Sequence, residues 1–419
     1  MVRILTFALL LLSSLTAFAA EPVDTRQGTL HPGFKSLQVQ VEGDMMAQPV
    51  LTLGSPLHRL VISFDELAED RRYMRYSLEH CDAAWRPEGL APSEFLDSFN
   101  EGTVDDYDFS QATTVHYVHY RIVIPNDQVR ITAPGNYLLR VYDEQDPDET
   151  LLQVRFGVVD PRVSIGLEAT SRTDLDTNEA HQQLGIRLGI DKAGIEDPFT
   201  DLRVTVTQNG RPDTERILVT PTRTGGGDVY YEHLRELIFP AGNEYRRFET
   251  VSTYYPGMHV AWIDPDAPVC NIGLDEDLPR TAYVYDQTQN GRYKIRTTDL
   301  DDSDRRADYI LTHFTLRAPR RTDGTYYIEG DLTDRRYDPR TRMTYDPVIG
   351  AYTASLLLKQ GSYNYQYIFV PDGASQGLAG PAEGDHYQTA NEYTVRVYHR
   401  PKGTRYDRLV GVSTIKSGL

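Results

Sequence analysis

Residues Ser55–Leu90 read SPLHRLVISFDELAEDRRYMRYSLEHCDAAWRPEGL. Leu57 to Phe64 is an apolar run rich in β-formers, and Asp65-Glu66 breaks it. From Met74 the pattern alternates: Met74, Tyr76, Leu78 and His80 share one face, while Arg75, Ser77 and Glu79 take the other. A period of two is a strand with one wet and one buried side. After Cys81-Asp82-Ala83 comes Trp85, whose ring is large enough to plug the middle of a sandwich. A third strand is expected at Thr113–Ile124, beyond a polar connection around Glu101–Ser110. Together these predict an immunoglobulin-like β-sandwich.

Outward from this stretch the chain continues in the same manner. Glu21 to Gly33 is polar and broken by Pro and Gly, and Ser36–Glu42 alternates as an edge strand. Pro134-Gly135-Asn136 turns into a hairpin of Tyr137–Val141 and Leu151–Val159, and Asp160-Pro161 closes a first unit at 20–160. A middle unit at 161–306 carries strands at Val163–Ala169, Gln183–Ile190, Leu202–Thr207, Val229–Phe239, Met258–Ile263 and Ala282–Tyr285. Asp299–Arg306 reads as an extended, charged linker. A third unit at 307–419 has strands at Tyr309–Leu316, Thr325–Glu329, Tyr352–Leu358, Tyr363–Phe369 and Glu392–Tyr398. Tyr363, Tyr365 and Tyr367 share a face, as a packed sheet surface requires. No segment keeps a helical period, so the fold class is all-β: tandem immunoglobulin-like or early-set β-sandwiches in a row.

The first residues predict a secretory signal at 1–19: Arg3, the apolar run Ile4–Leu12, then Ala17-Phe18-Ala19 as cleavage site. No lipidation cysteine follows it, and no later run reaches the ~20 apolar residues of a membrane helix. An exported chain that does not insert into the membrane is expected. With 61 acidic and 43 basic residues the net charge is −18, which argues against nucleic acid and anionic membrane surfaces as partners. Cys81 and Cys270 fall in different units, so buried free thiols are expected rather than a disulfide.

The chemistry-bearing patterns are sparse. No G-x-S-x-G elbow, H-E-x-x-H or paired C-x-x-C occurs, and Gly225-Gly226-Gly227-Asp228 lacks the Lys-Ser/Thr of a phosphate loop. His80 reads as a hydrogen-bonded core histidine. Asp299, Asp301, Asp302 and Asp304 form the densest oxygen cluster, with Asp174, Asp176 and Glu179 a poorer one, but neither has the Gly and distal Glu of a calcium loop. The expectation is no catalytic residue, no cofactor and no metal ligand. The third unit resembles the early-set modules beside starch-processing enzymes, yet its Gly330-Asp331-Leu332-Thr333-Asp334-Arg335 lacks the aromatics that would stack on sugar.

Four motifs, SFDEL at 63–67, Y-x-x-Y-x-x-x-HCDAAW at 73–85, AGNEYRRFE at 241–249 and LKQGSYNYQY at 358–367, resemble in order those of the type IX secretion system plug family. The resemblance spans nearly the whole mature chain. It implies a non-enzymatic periplasmic protein that docks on and seals the outer-membrane translocon barrel, and that is a monomer when free. Phe64, Tyr76, His80, Cys81, Asp82 and Trp85 are then a structural signature of the first sandwich's core, while the barrel-binding loops stay unassigned. A carbohydrate-binding envelope protein is the alternative.

Overall fold

The computed structural model describes residues 24–298 and 301–418. The expected signal segment and Asp299 lie outside them. Strands dominate, and the first unit is two facing sheets. One runs Gly28–Thr29, Thr150–Val159, Gly135–Asp143, Met74–Cys81 and Gly102–Thr103, with Val50–Thr52 joining Thr150–Val159 in parallel. The other runs Phe34–Val41, Leu60–Glu66, Val118–Ile124 and Asp106–Phe109. The alternation at 74–80 places Met74, Tyr76, Leu78 and His80 inside and leaves Glu79 outside. Phe64 stacks on Tyr120 at 5.5 Å between ring centres, deep in that core.

Strand pairing divides the rest of the chain differently from its linear order. A second core lies between Ser164–Thr170, His181–Gly189 and Asp228–Tyr231 on one side and Leu202–Gln208, Glu392–His399 and Arg408–Lys416 on the other. Glu392–His399, expected in the third unit, instead pairs with Leu202–Gln208 of the second, from Leu202↔His399 to Gln208↔Tyr393. All eight of its residues are buried, because it is central in its sheet and covered on both faces. Tyr393, Val395 and Val397 enter the second core, while Tyr398 packs with Ala83, Val159 and Leu409 against the first unit. The partner strand Arg408–Lys416 was not anticipated.

A third core is thus inserted into the second unit. It lies between Arg246–Glu249, Gly361–Pro371, Tyr293–Ile295 and Gly324–Glu329 on one side and Val260–Asp264, Asn271–Leu274, Tyr309–Leu316, Ala351–Lys359 and Thr344–Asp346 on the other. Tyr363, Tyr365 and Tyr367 are all buried, as the period predicts. The first unit touches both others, so the three are clustered rather than strung in a row.

Three local expectations fail for local reasons. Ala282–Tyr285 is not a strand: the Asn243 side chain satisfies its backbone, donating to the Ala282 carbonyl at 3.0 Å and accepting from the Val284 amide at 3.1 Å. Val229–Phe239 splits into Asp228–Tyr231 and Ile238–Pro240, with His233 at φ 56° and a 3-10 turn at Arg235–Leu237 between them. The acidic linker is not extended over its described residues, because Ser303–Arg306 forms a helical turn after Asp302 at φ 63°.

Cys81 and Cys270 are free and buried. Burial pushes the Cys81 thiol up to about 12 and the Cys270 thiol up to about 11. A thiol reagent at pH 8 is therefore expected to titrate neither cysteine in the native chain and both after denaturation. Rapid native labelling would contradict the packing.

Candidate functional site

The strand Met74–Cys81 ends in a turn that the HCDAAW motif builds. Asp82 accepts the Ala84 and Arg86 amides through Oδ1 at 2.8 and 2.9 Å, and its carbonyl accepts the Trp85 amide at 2.9 Å. This sets Trp85 at φ 61°, a left-handed conformation costing a non-glycine residue about 1–2 kcal/mol. The ring is turned away from the first sandwich's core. Trp85 is 6% exposed, but it lies under the Arg155 guanidinium, 4.7 Å from the ring centre, at the junction with the second unit. The expectation that Trp85 plugs the middle of the first sandwich is corrected: the ring is buried between units.

The residues around it tie the first unit to the C-terminal hairpin. The Ala83 amide donates to Asp407 at 2.9 Å, and Arg400 bridges Asp407 and Glu88 at 2.7 and 2.5 Å. His80 Nδ1 is 2.8 Å from Glu88, and its ring meets Tyr406 edge-on at 5.2 Å. Asn136 donates to the Asp82 carbonyl and accepts from the Tyr398 hydroxyl, both at 2.9 Å. His80 is a core histidine held at both nitrogens, the other facing the Pro134 carbonyl at 3.3 Å. Phe64, Tyr76 and Cys81 are buried, Phe64 and Tyr76 in the first core itself.

SFDEL and LKQGSYNYQY, nearly three hundred positions apart, meet in a second tie. Asp65 accepts from Lys359 Nζ at 2.7 Å and from the Tyr309 hydroxyl at 2.7 Å, with His119 Nδ1 at 2.6 Å. Lys359 also donates to the Asp304 carbonyl at 2.6 Å and lies 4.0 Å from the Tyr117 ring centre. Asp65 and Lys359 are almost wholly excluded from solvent. Burial pushes the Asp65 carboxyl up, and the adjoining Lys359 and His119 more than offset this, holding it below the usual carboxylate range.

AGNEYRRFE meets the same C-terminal motif within the inserted core. Arg246 pairs with Glu383 at 3.0 Å and Asp277 at 2.5 Å, and Asp277 accepts the Tyr365 and Tyr367 hydroxyls at 2.6 and 2.8 Å. Tyr245 and Gln366 both donate to Glu329, at 2.9 and 2.7 Å. Asp277, Glu329 and Glu383 thus each have both carboxylate oxygens bonded, as burial of a charge demands. A further knot joins all three units: Glu392 accepts from Gln48 and Arg292, each at 2.7 Å.

Between the units lies a cleft of about 180 Å³, lined by Trp85 and Arg155 of the first, Glu215 and Arg396 of the second, and Arg335 of the third. Burial pulls the Arg155 guanidinium down to about 10. Burial also raises the Glu215 carboxyl, against the pull of Arg396, Arg155 and the Trp85 indole. Sequence reading missed Arg155, Glu215, Lys359 and Arg396. The available signal was a charge inside an otherwise apolar strand pattern, as at LLLKQ and TLLQVRF.

Elsewhere, His313 lies 2.7 Å from the Ser355 hydroxyl and 2.8 Å from Asn271, on an outer sheet face under the stacked Trp262 ring. Burial lowers the His313 imidazole. Among the described residues no group of three or more His, Cys, Asp or Glu side chains is placed to hold a metal, and no helix is long and apolar enough to cross a membrane. Of the acidic clusters, Asp174 is bonded to His233 and Gln183, and Asp176 to His181.

Residues 34–160 match the type 9 secretion system plug protein 1st domain. A crystal structure of a hypothetical protein from Parabacteroides merdae ATCC 43184 is 41% identical over 94% of this chain and 100% of that one, with a TM-score of 0.92. Alkylpurine DNA glycosylase AlkC of Pseudomonas fluorescens (13% identity, 30% of this chain and 29% of that one) also matches, with a TM-score of 0.17. So does Escherichia coli alpha-2-macroglobulin (9%, 92% and 31%), again at 0.17, a value at which neither carries any argument. No curated protein matches the sequence. The matched domain takes in SFDEL and HCDAAW, and full-length likeness to a solved relative takes in the two later motifs, of which LKQGSYNYQY meets SFDEL and AGNEYRRFE meets LKQGSYNYQY. The chain belongs to the type IX secretion system plug protein family.

Proposed function

We propose that this chain is a non-enzymatic periplasmic plug that docks on the outer-membrane translocon barrel of the type IX system and seals it between transport events. The family is one of secretion-system plugs, not of enzymes, and membership gives the chain a role in type IX secretion. The observation that carries the reading further is the knitting of three units through buried carboxylates: Asp65 on Lys359, Glu392 on Gln48 and Arg292, and Asp407 on the Ala83 amide. A seal across a wide opening must resist deformation, and buried, hydrogen-bonded charges that span the units fix one relative placement of them. Of the signature, Phe64, Tyr76 and Cys81 then serve the first unit's packing, and His80, Asp82 and Trp85 the placement of the units, rather than the partner. A release step favours a polar, reversible docking surface.

The test is removal of the gene in its own host. The deletion strain is expected to admit antibiotics that the outer membrane normally excludes, and the tagged protein to co-purify with the barrel from detergent extracts. Unchanged permeability with no barrel among the partners would sink this reading. A carbohydrate-binding role would then lead, on the strength of Trp262, 47% exposed over His313 beside Asn271 and Ser355.

A further inference from the structure

The cleft between the three units carries more cations than anions in its lining, with Glu215, Asp331 and Asp334 the carboxylates, although the chain has a net charge of −18. Five arginines face it, and three are paired with carboxylates: Arg26 with Asp24, Arg292 with Glu392, and Arg335 with Glu329 and Asp331. The other two are not. The Arg155 guanidinium donates only to the Thr25 carbonyl and hydroxyl, at 2.6 and 2.8 Å, and otherwise rests on the Trp85 ring. The Arg396 side chain makes no hydrogen bond and no ion pair among the described residues; it is 8% exposed, and its Nε has no partner.

Leaving a guanidinium buried with its donors unused is costly, so such a group marks a missing acceptor. Glu215 also lines the cleft, but it shares its field between both arginines and bonds neither. We propose that the cleft is a binding site for a small oxyanion, a carboxylate or a phosphate, held by the Arg396 and Arg155 guanidiniums. Their planar forks match two oxygens of either group, and the low-dielectric walls strengthen the attraction. Because residues of all three units line the cleft, an anion there stabilises their assembled arrangement and raises the unfolding temperature by mass action. This assignment is independent of what the protein docks on.

The experiment is thermal unfolding of the full mature chain titrated with inorganic phosphate or, separately, succinate, with sodium chloride holding ionic strength constant. At least one anion is expected to raise the melting temperature saturably by several degrees, and which one does so separates the phosphate from the carboxylate source. Arg396→Gln breaks no bond in the native fold and is expected to weaken binding roughly tenfold or more. Glu215→Gln removes the competing charge and is expected to tighten it; its titration decides the matter should Arg396→Gln fail to fold. No saturable shift with either anion would overturn the assignment. So would an Arg396→Gln variant that keeps the full response, or a Glu215→Gln variant whose affinity is unchanged or weaker.

Discussion

Replacing Lys359 with Met is expected to destabilise the protein by about 3–5 kcal/mol, the usual cost of leaving one member of a buried ion pair behind. Asp65 would keep its buried carboxylate, the Tyr309 hydroxyl and His119, but lose the ammonium 2.7 Å away. Adding Asp65→Asn should recover part of the loss, since the double variant buries no uncompensated charge; denaturant unfolding of the full cycle measures the coupling. The pH dependence has a definite sign. The Asp65 carboxyl is held low in the folded state, so its contribution is complete above its unfolded value of about 3.9 and fades as pH falls through the lower folded value. The gap between wild type and Lys359→Met should therefore narrow below about pH 4. A gap constant across that range would mean that Asp65 is not what Lys359 stabilises.

Trp85→Ala is the second large effect, again about 3–5 kcal/mol, from loss of a buried indole and the void left behind. Its position adds a specific consequence. The ring lies beneath Arg155 where the first unit faces the second, so its removal should loosen the first unit before its own core melts. Limited proteolysis is expected to cut between Val159 and Ser164 faster in the variant, while the first core's tyrosines keep their native near-UV signal. Loss of that signal at the same temperature as the cleavage would place Trp85 in the first core instead.

Local pattern made most strands legible. The alternation from Met74 to His80, the hairpin around Gly135–Asp143 and Thr150–Val159, and the tyrosine stripe at 363–367 all follow from a period of two. Which strands share a sheet was not legible, because pairing is set by non-local contacts that a period does not encode. Glu392–His399 shows this best: its pattern announces a strand, but nothing local announces Leu202–Gln208 as its neighbour. The role of Trp85 was misjudged for a related reason. Its size predicts burial, but its direction depends on the left-handed φ that the Asp82 turn imposes. The motifs were visible as motifs; that they meet in space, Asp65 on Lys359 and Arg246 beside Tyr365, required the fold.

Buried ties at Asp65, Glu392 and Asp407 bind the three sandwiches into one cooperative body, and differential scanning calorimetry of the mature chain measures that cooperativity. One transition is expected, with equal calorimetric and van't Hoff enthalpies, and Lys359→Met is expected to split it. A wild-type chain that already unfolds in two or more separated steps would show independently stable units instead.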